Sequence, residues 1–209
     1  MAENYLVYGQ AGAGSVAVEA ALTLLGVDYR TEDVPQARLG SIPNPLAQVP
    51  AVQLPNGELM TESAAILIWL ADSHPAAGLS PPIDSPLRGP FLRWMSFVSA
   101  AIYAHYWALD VPARLVKAEA AQAEIKASLE ARTADCWGVM EAAIGPGRYL
   151  VGDEMTVLDL YVTVVSRWTP RKALHERIAP GIGEVVRRVE SDPRLVSLWA
   201  ERFPLRAES

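Results

Sequence analysis

An α/β unit followed by an all-helical unit is the fold class this sequence predicts, and three observations carry the prediction. Short apolar runs alternate with helix-period stretches through the first 78 residues. Proline then crowds residues 79–90, where no apolar period survives. Beyond that stretch every patterned segment has helical spacing. The expected organisation is therefore a first domain over 1–78, a linker over 79–90 and a helical domain over 91–209.

Each element follows in order. Tyr5-Leu6-Val7-Tyr8 is a short apolar run that ends in the glycine-rich turn from Gly9 to Gly14, as a buried strand does. Ala17, Ala20, Ala21, Leu24 and Leu25 recur at helical spacing, and Gly26 supplies the stop. A second strand begins at Val27-Asp28-Tyr29. The stretch from Arg38 to Leu46 holds Gly40, Pro43 and Pro45, so it reads as a loop with at most a broken helix. Ala51 to Leu54 and Glu58 to Met60 flank Pro55-Asn56-Gly57 as a hairpin. A helix from Ser63 to Ser73 turns Ile66, Leu67 and Leu70 inward. Strand, helix, strand, hairpin, helix is the order of a thioredoxin-like domain. In the second half, Leu87 to Leu109 reads as one long helix, bent near its end. Glu119 to Ile144 carries Ile125, Leu129, Cys136 and Met140 on one stripe, and shorter helices follow near Val157 to Arg167, Ile182 to Ser191 and Arg194 to Phe203. Thr156 stands three residues before Asp159 in a capping box, with Met155 and Leu160 as its hydrophobic staple. Its role is structural.

Composition narrows the function classes. With 51% hydrophobic and 20% charged residues in 209, the chain has ample material for a core. A formal net charge of −6 argues against a nucleic-acid partner, which needs a basic face. The start, Met1-Ala2-Glu3-Asn4, lacks the regions of a signal peptide, and the most apolar stretch, Ala64 to Ala71, is too short to span a bilayer. A cytoplasmic protein with no membrane partner is expected. The single cysteine, Cys136, excludes a disulfide framework. His74, His105 and His175 lack ligand spacing, so no metal is expected.

Two motifs point to a ligand. Gln48-Val49-Pro50 precedes a strand, and a Val–Pro bond takes the cis form at a cost of only about 0.5–1 kcal/mol. Cis geometry there would free the N–H and C=O of Val49 for an extended peptide. Glu62-Ser63 opens a helix, whose unpaired N–H groups and partial positive charge suit a carboxylate. A peptide held by its backbone at one point and by a terminal carboxylate at another describes glutathione. The two motifs, in this order, resemble the glutathione-binding half of the glutathione S-transferase superfamily. The glycine, threonine and aspartate over Gly152 to Asp159 resemble the folding-associated cap of its helical domain, so the resemblance covers both halves. It implies a glutathione transferase with glutathione as co-substrate, a detoxifying role, a homodimer, and binding through Gly14, Gln48, Val49, Pro50, Glu62 and Ser63.

A free thiol has a pKa near 8.5, so its thiolate needs stabilising at neutral pH; a hydroxyl donor and the positive end of a helix both do so. In this family the donor sits at the start of the first helix, and Ser15 is the expected catalytic residue. The backbone N–H groups of Gly14 and Ser15 are the second possibility; Tyr5 and Tyr8 are weaker candidates. The chain is similar to the beta-type bacterial enzymes but carries Gly14 where they have a cysteine and Ala11 where they have a proline. Ala100 and Ala101 stand in place of their histidine-lysine pair. With no cysteine in the first domain, thiol exchange by the protein itself is set aside.

A hydrophobic electrophile would sit between the domains against Tyr103, Tyr106 and Trp107, with Trp168 across the cleft, because concave aromatic sites suit flat apolar compounds. Isomerase, dehalogenase and ether-cleaving activities share the first domain and differ only in that pocket. The rival readings are a non-catalytic interaction module on the same fold and a carrier of apolar ligands.

Overall fold

The computed structural model describes residues 4–204. The sequence features at 1–3, and 205–209 at the end of the expected helical domain, lie outside the described residues. Strand β1 (Tyr5–Gly9) leads through helix α1 (Ser15–Leu25) to β2 (Tyr29–Asp33). A 3-10 turn (Gln36–Ser41) follows, then the hairpin β3 (Ala51–Gln53) and β4 (Leu59–Thr61), then α2 (Ser63–Ser73). The sheet order is β2-β1-β3-β4, with β1 parallel to β2 and antiparallel to β3. Tyr5 pairs with Tyr29 and Val7 with Val52, so β1 is one of the two inner strands and is largely buried. This is a thioredoxin-like sheet. Alanines and valines cover the inner face of α1 (Val16, Ala17, Val18, Ala20, Ala21), and their small size lets the helix pack closely on its neighbours α2 and α6.

The helical half begins with α3 (Arg88–Phe97), a π segment (Val98–Tyr103) and α4 (Ala104–Asp110). Where the sequence predicts one long helix bent near its end, the chain is helical throughout but widened in the middle. The N–H of Ala104 reaches the C=O of Ser99, one residue further than an α-helix allows. Helix α5 (Glu119–Ile144) matches its expected span. Its buried stripe is confined to the C-terminal part, at Thr133, Cys136, Trp137 and Met140, while Ile125 and Leu129 stay half-buried because fewer elements cover the first turns. Next come α6 (Val157–Ser166), the single turn α7 (Arg171–Ala173) with a π turn after it (Leu174–Ile178), α8 (Pro180–Glu190) and α9 (Val196–Arg202).

Helix α6 is buried along its whole length and forms the centre of the helical half. Its N-terminus is closed by the predicted box. Asp159 accepts the N–H of Thr156 at 2.7 Å, the hydroxyl of Thr156 at 2.8 Å and the N–H of Leu150 at 2.8 Å. No helix among the described residues is long and apolar enough to cross a membrane.

Candidate functional site

The residues singled out in the first half lie at the ends of β1, β3 and α2. The Val49–Pro50 bond is cis. Neither the N–H nor the C=O of Val49 has a hydrogen-bond partner among the described residues. The preceding loop is held from behind, where the side-chain amide of Asn44 donates to the C=O of Gln48 at 2.7 Å and its oxygen accepts the N–H of Leu46 at 3.0 Å. Gln48 keeps its side chain exposed, and Pro50 is buried at the start of β3.

Glu62 stands between β4 and α2 with φ 68° and ψ 102°. A non-glycine residue there is strained by roughly 1–3 kcal/mol and persists only where its surroundings demand it. The first helical bond runs from the N–H of Ile66 to the C=O of Glu62 at 2.9 Å, so the amides of Ser63, Ala64 and Ala65 stand ahead of the ladder. The hydroxyl of Ser63 is already engaged. It lies 3.0 Å from the hydroxyl of Tyr161 on α6, a bond that uses one of its hydrogen-bonding roles. Burial pushes the Tyr161 phenol up to about 12 against the opposing hydrogen bond from Ser63.

At the start of α1 the hydroxyl of Ser15 folds back onto the loop before it. It accepts the N–H of Gln10 at 3.0 Å, donates to the C=O of the same residue at 3.2 Å, and is wholly buried. Gly9 makes room for it, because a Cβ there would fall 2.7 Å from that hydroxyl oxygen. Ser15 is thus the first helical residue and closes the loop before it. The capping position belongs to Gly14, which is buried. The N–H of Ser15 donates to no backbone acceptor among the described residues, and the N–H of Gly14 meets the phenol oxygen of Tyr103.

The helical half clamps this loop from outside. The indole N–H of Trp168 donates to the C=O of Gly12 at 2.9 Å, and the N–H of Gly12 donates to the C=O of Arg202 at 2.8 Å. Tyr103 packs its ring against Trp168 (4.8 Å between centroids) and Tyr161 (6.0 Å), and Tyr106 meets Trp168 edge-on at 5.1 Å. Tyr106 is buried with its hydroxyl bonded to Thr169. Trp107 does not join this group; its ring is 43% exposed beneath the guanidinium of Arg114. Helical spacing explains the split, since Tyr103 and Tyr106 share a face that the next residue leaves. Tyr161, Thr169 and Arg202 were missed in the sequence, where each reads as an ordinary helix or loop residue.

Two surface hollows lie elsewhere. One of about 740 Å3 runs along the outer face of α5 by Arg132, Asp135 and Val139, and one of about 340 Å3 lies beside Tyr149 and Arg194. Neither is lined by a residue of the site. Among the described residues, no cluster of three or more histidine, cysteine, aspartate or glutamate side chains has the arrangement to hold a metal.

Comparison with known proteins identifies the family and the fold. The family model described as "Glutathione S-transferase, N-terminal domain" matches residues 15–73. The "Uncharacterized GST-like protein YncG" of Escherichia coli (strain K12) is 29% identical over 196 residues, 90% of this chain and 94% of that protein. The "Probable maleylacetoacetate isomerase" of Caenorhabditis elegans is 31% identical over 156 residues, 69% of each chain. The fold matches that of a glutathione transferase homolog from Sulfitobacter, crystallised with bound glutathione, with a TM-score of 0.85 and 23% identity over 96% of this chain and 99% of that one. A thioredoxin-like sheet, an all-helical second half and relatives of this length and identity together place the chain in the cytosolic glutathione S-transferase superfamily.

Proposed function

We propose that this protein binds glutathione, stabilises its thiolate and conjugates it through the sulfur to a hydrophobic electrophile. The observation that carries the reading is the pairing of two open backbone sites: the N–H and C=O of Val49, and the amides at the start of α2 behind the strained Glu62. The first suits the peptide backbone of glutathione in the manner of strand addition, and the second suits a carboxylate. The relative from Sulfitobacter, which holds glutathione in a matching fold, supports the same reading.

In this scheme Gln48, Val49, Pro50, Glu62 and Ser63 hold the tripeptide, and the thiol lies over the N-terminus of α1 at Gly14. There the positive end of the helix favours the thiolate. Ser15 serves as a positioning residue, because its hydroxyl is spent on Gln10. Rate acceleration then comes from the raised thiolate fraction and from holding it beside an electrophile in the cleft by Tyr106 and Trp168. The linker at 79–90 and the helical domain beyond it complete that cleft, and two chains pair as a homodimer, which sedimentation would check; a monomer contradicts it.

Titration with glutathione, followed by the ultraviolet absorbance of the thiolate across neutral pH, tests the reading. Saturable binding with the thiol ionised below its free pKa of about 8.5 is expected. No binding at millimolar glutathione would leave a scaffold that has the fold without the chemistry.

A further inference from the structure

Tyr103 reaches a place that its position in the sequence does not suggest. It is the last residue of the π segment Val98–Tyr103, and its phenol crosses from the helical half to the first turn of α1. There it lies against Gly14 so closely that a Cβ on that residue would overlap the hydroxyl and fall 2.9 Å from Cζ and 3.0 Å from Cε1. Any side chain at position 14 would push the phenol out. The ring is fixed between Trp168 and Tyr161, and Trp168 is itself tied to Gly12 of the same loop. Helix segments of π type place side chains where a regular helix would not, and they recur at functional sites.

Resting on the glutathione reading above, we propose that the Tyr103 hydroxyl is the side-chain donor that holds the glutathione thiolate at the N-terminus of α1. Ser15, the hydroxyl at the start of that helix, has its one proton engaged by the C=O of Gln10 and the Glu19 carboxylate beside it. The hydroxyl proton of Tyr103 has no acceptor among the described residues. The backbone amide of Gly14 faces the phenol oxygen, and donation into that oxygen polarises the O–H outward. Burial holds the phenol far above its ordinary pKa, and the acidic groups facing it, Tyr161, Asp110 and Glu62, act in the same direction, while the Gly14 amide opposes them. The phenol therefore remains a donor at every pH at which glutathione ionises. In the step itself the S–H bond of glutathione breaks, its proton passes to water, and the thiolate accepts the phenol O–H; Tyr103 keeps its own proton.

The full chain and its Tyr103→Phe variant, titrated with glutathione and with S-methylglutathione, test this. Calorimetry reads affinity, and ultraviolet absorbance reads thiolate against pH. The expected result is that both proteins bind S-methylglutathione alike, while the variant's bound thiol has an apparent pKa about one unit higher, about a tenfold loss of thiolate at a given pH below it. An unchanged thiol pKa in a variant that still binds glutathione overturns the donor role and leaves the glutathione reading standing. Loss of S-methylglutathione binding in the variant overturns it too, since the phenol would then shape the site rather than hold the sulfur. Failure of the unaltered chain to bind either compound overturns the glutathione reading itself.

Discussion

Ser15 and Glu62 show how far a residue's type predicts its task. A serine at a helix start in a glycine-rich turn signals a hydroxyl near a ligand, yet Gly9 lets that hydroxyl fold back onto Gln10, so it braces the loop instead. The signal for this was present in the glycine but not in the serine, and only the close approach of strand end and helix start turns it into a bond. Glu62 shows the converse. The glutamate was legible as part of a binding motif, but its positive φ was not, because nothing in a glutamate announces left-handed backbone. Such strain at a binding position is removable. Glu62→Gly should raise stability by up to about 1 kcal/mol in urea unfolding, the relief of strain being offset by the added freedom of the unfolded chain. The same variant should bind glutathione more weakly, because the amides of α2 would be less rigidly presented. Equal affinity with equal stability would show that Glu62 is under no constraint.

At the scale of elements, the capping box of α6 was readable from the spacing of Thr156 and Asp159, because the bonds it needs are local. What could not be read is that Asp159 also holds the amide of Leu150 and is fully buried. Asp159→Ala leaves the amides of Leu150 and Thr156 without their acceptor and should cost about 2–4 kcal/mol at acid pH by denaturant unfolding. Burial pushes the Asp159 carboxyl up to about 6, so the folded chain holds its proton more tightly than the unfolded chain, where the value is about 3.9. The contribution of this group is therefore full below the unfolded value and declines as pH rises through the folded one. The gap between the unaltered chain and Asp159→Ala should narrow from about pH 4 to about pH 6; a gap that widens over that range would show the carboxylate to be the favoured form. The widened turn at Val98–Tyr103 gave no sequence signal at all, because Ser99, Ala100 and Ala101 satisfy a regular helix equally well.

Across the whole molecule, the loop from Gln10 to Gly14 is held by its own domain and also by the far end of the chain. Arg202 on α9 binds Glu19 of α1 at 2.7 Å and Asp33 of β2 at 2.6 Å, and its C=O takes the N–H of Gly12. Glu19 is buried, and burial raises its pKa despite the guanidinium, whereas the more exposed Asp33 is held below its ordinary value by the same Arg202. Arg202→Met should cost about 3–5 kcal/mol, because it leaves the buried Glu19 carboxylate without its counter-charge, with only the hydroxyls of Thr31 and Ser15 beside it. Adding Glu19→Gln should recover part of that loss, and urea unfolding of the two variants compares them. If the double variant is no more stable than the single one, the uncompensated charge is not the cause.

What the sequence by itself determined is whatever neighbouring residues decide among themselves: the alternation of strands and helices, the hairpin at Pro55-Asn56-Gly57, the box at Thr156 and the turn at Val49-Pro50 with the start of α2 at Glu62-Ser63. Periodicity, turn chemistry and capping act within a few residues, so they survive translation from string to structure. The tertiary structure alone decided which hydroxyl reaches the first turn of α1, because that depends on contacts between residues 14 and 103 and between 12 and 202, far apart along the chain. Packing of the helical half on the first turn of α1 satisfied one hydroxyl internally and delivered another from outside, and no local rule carries that information.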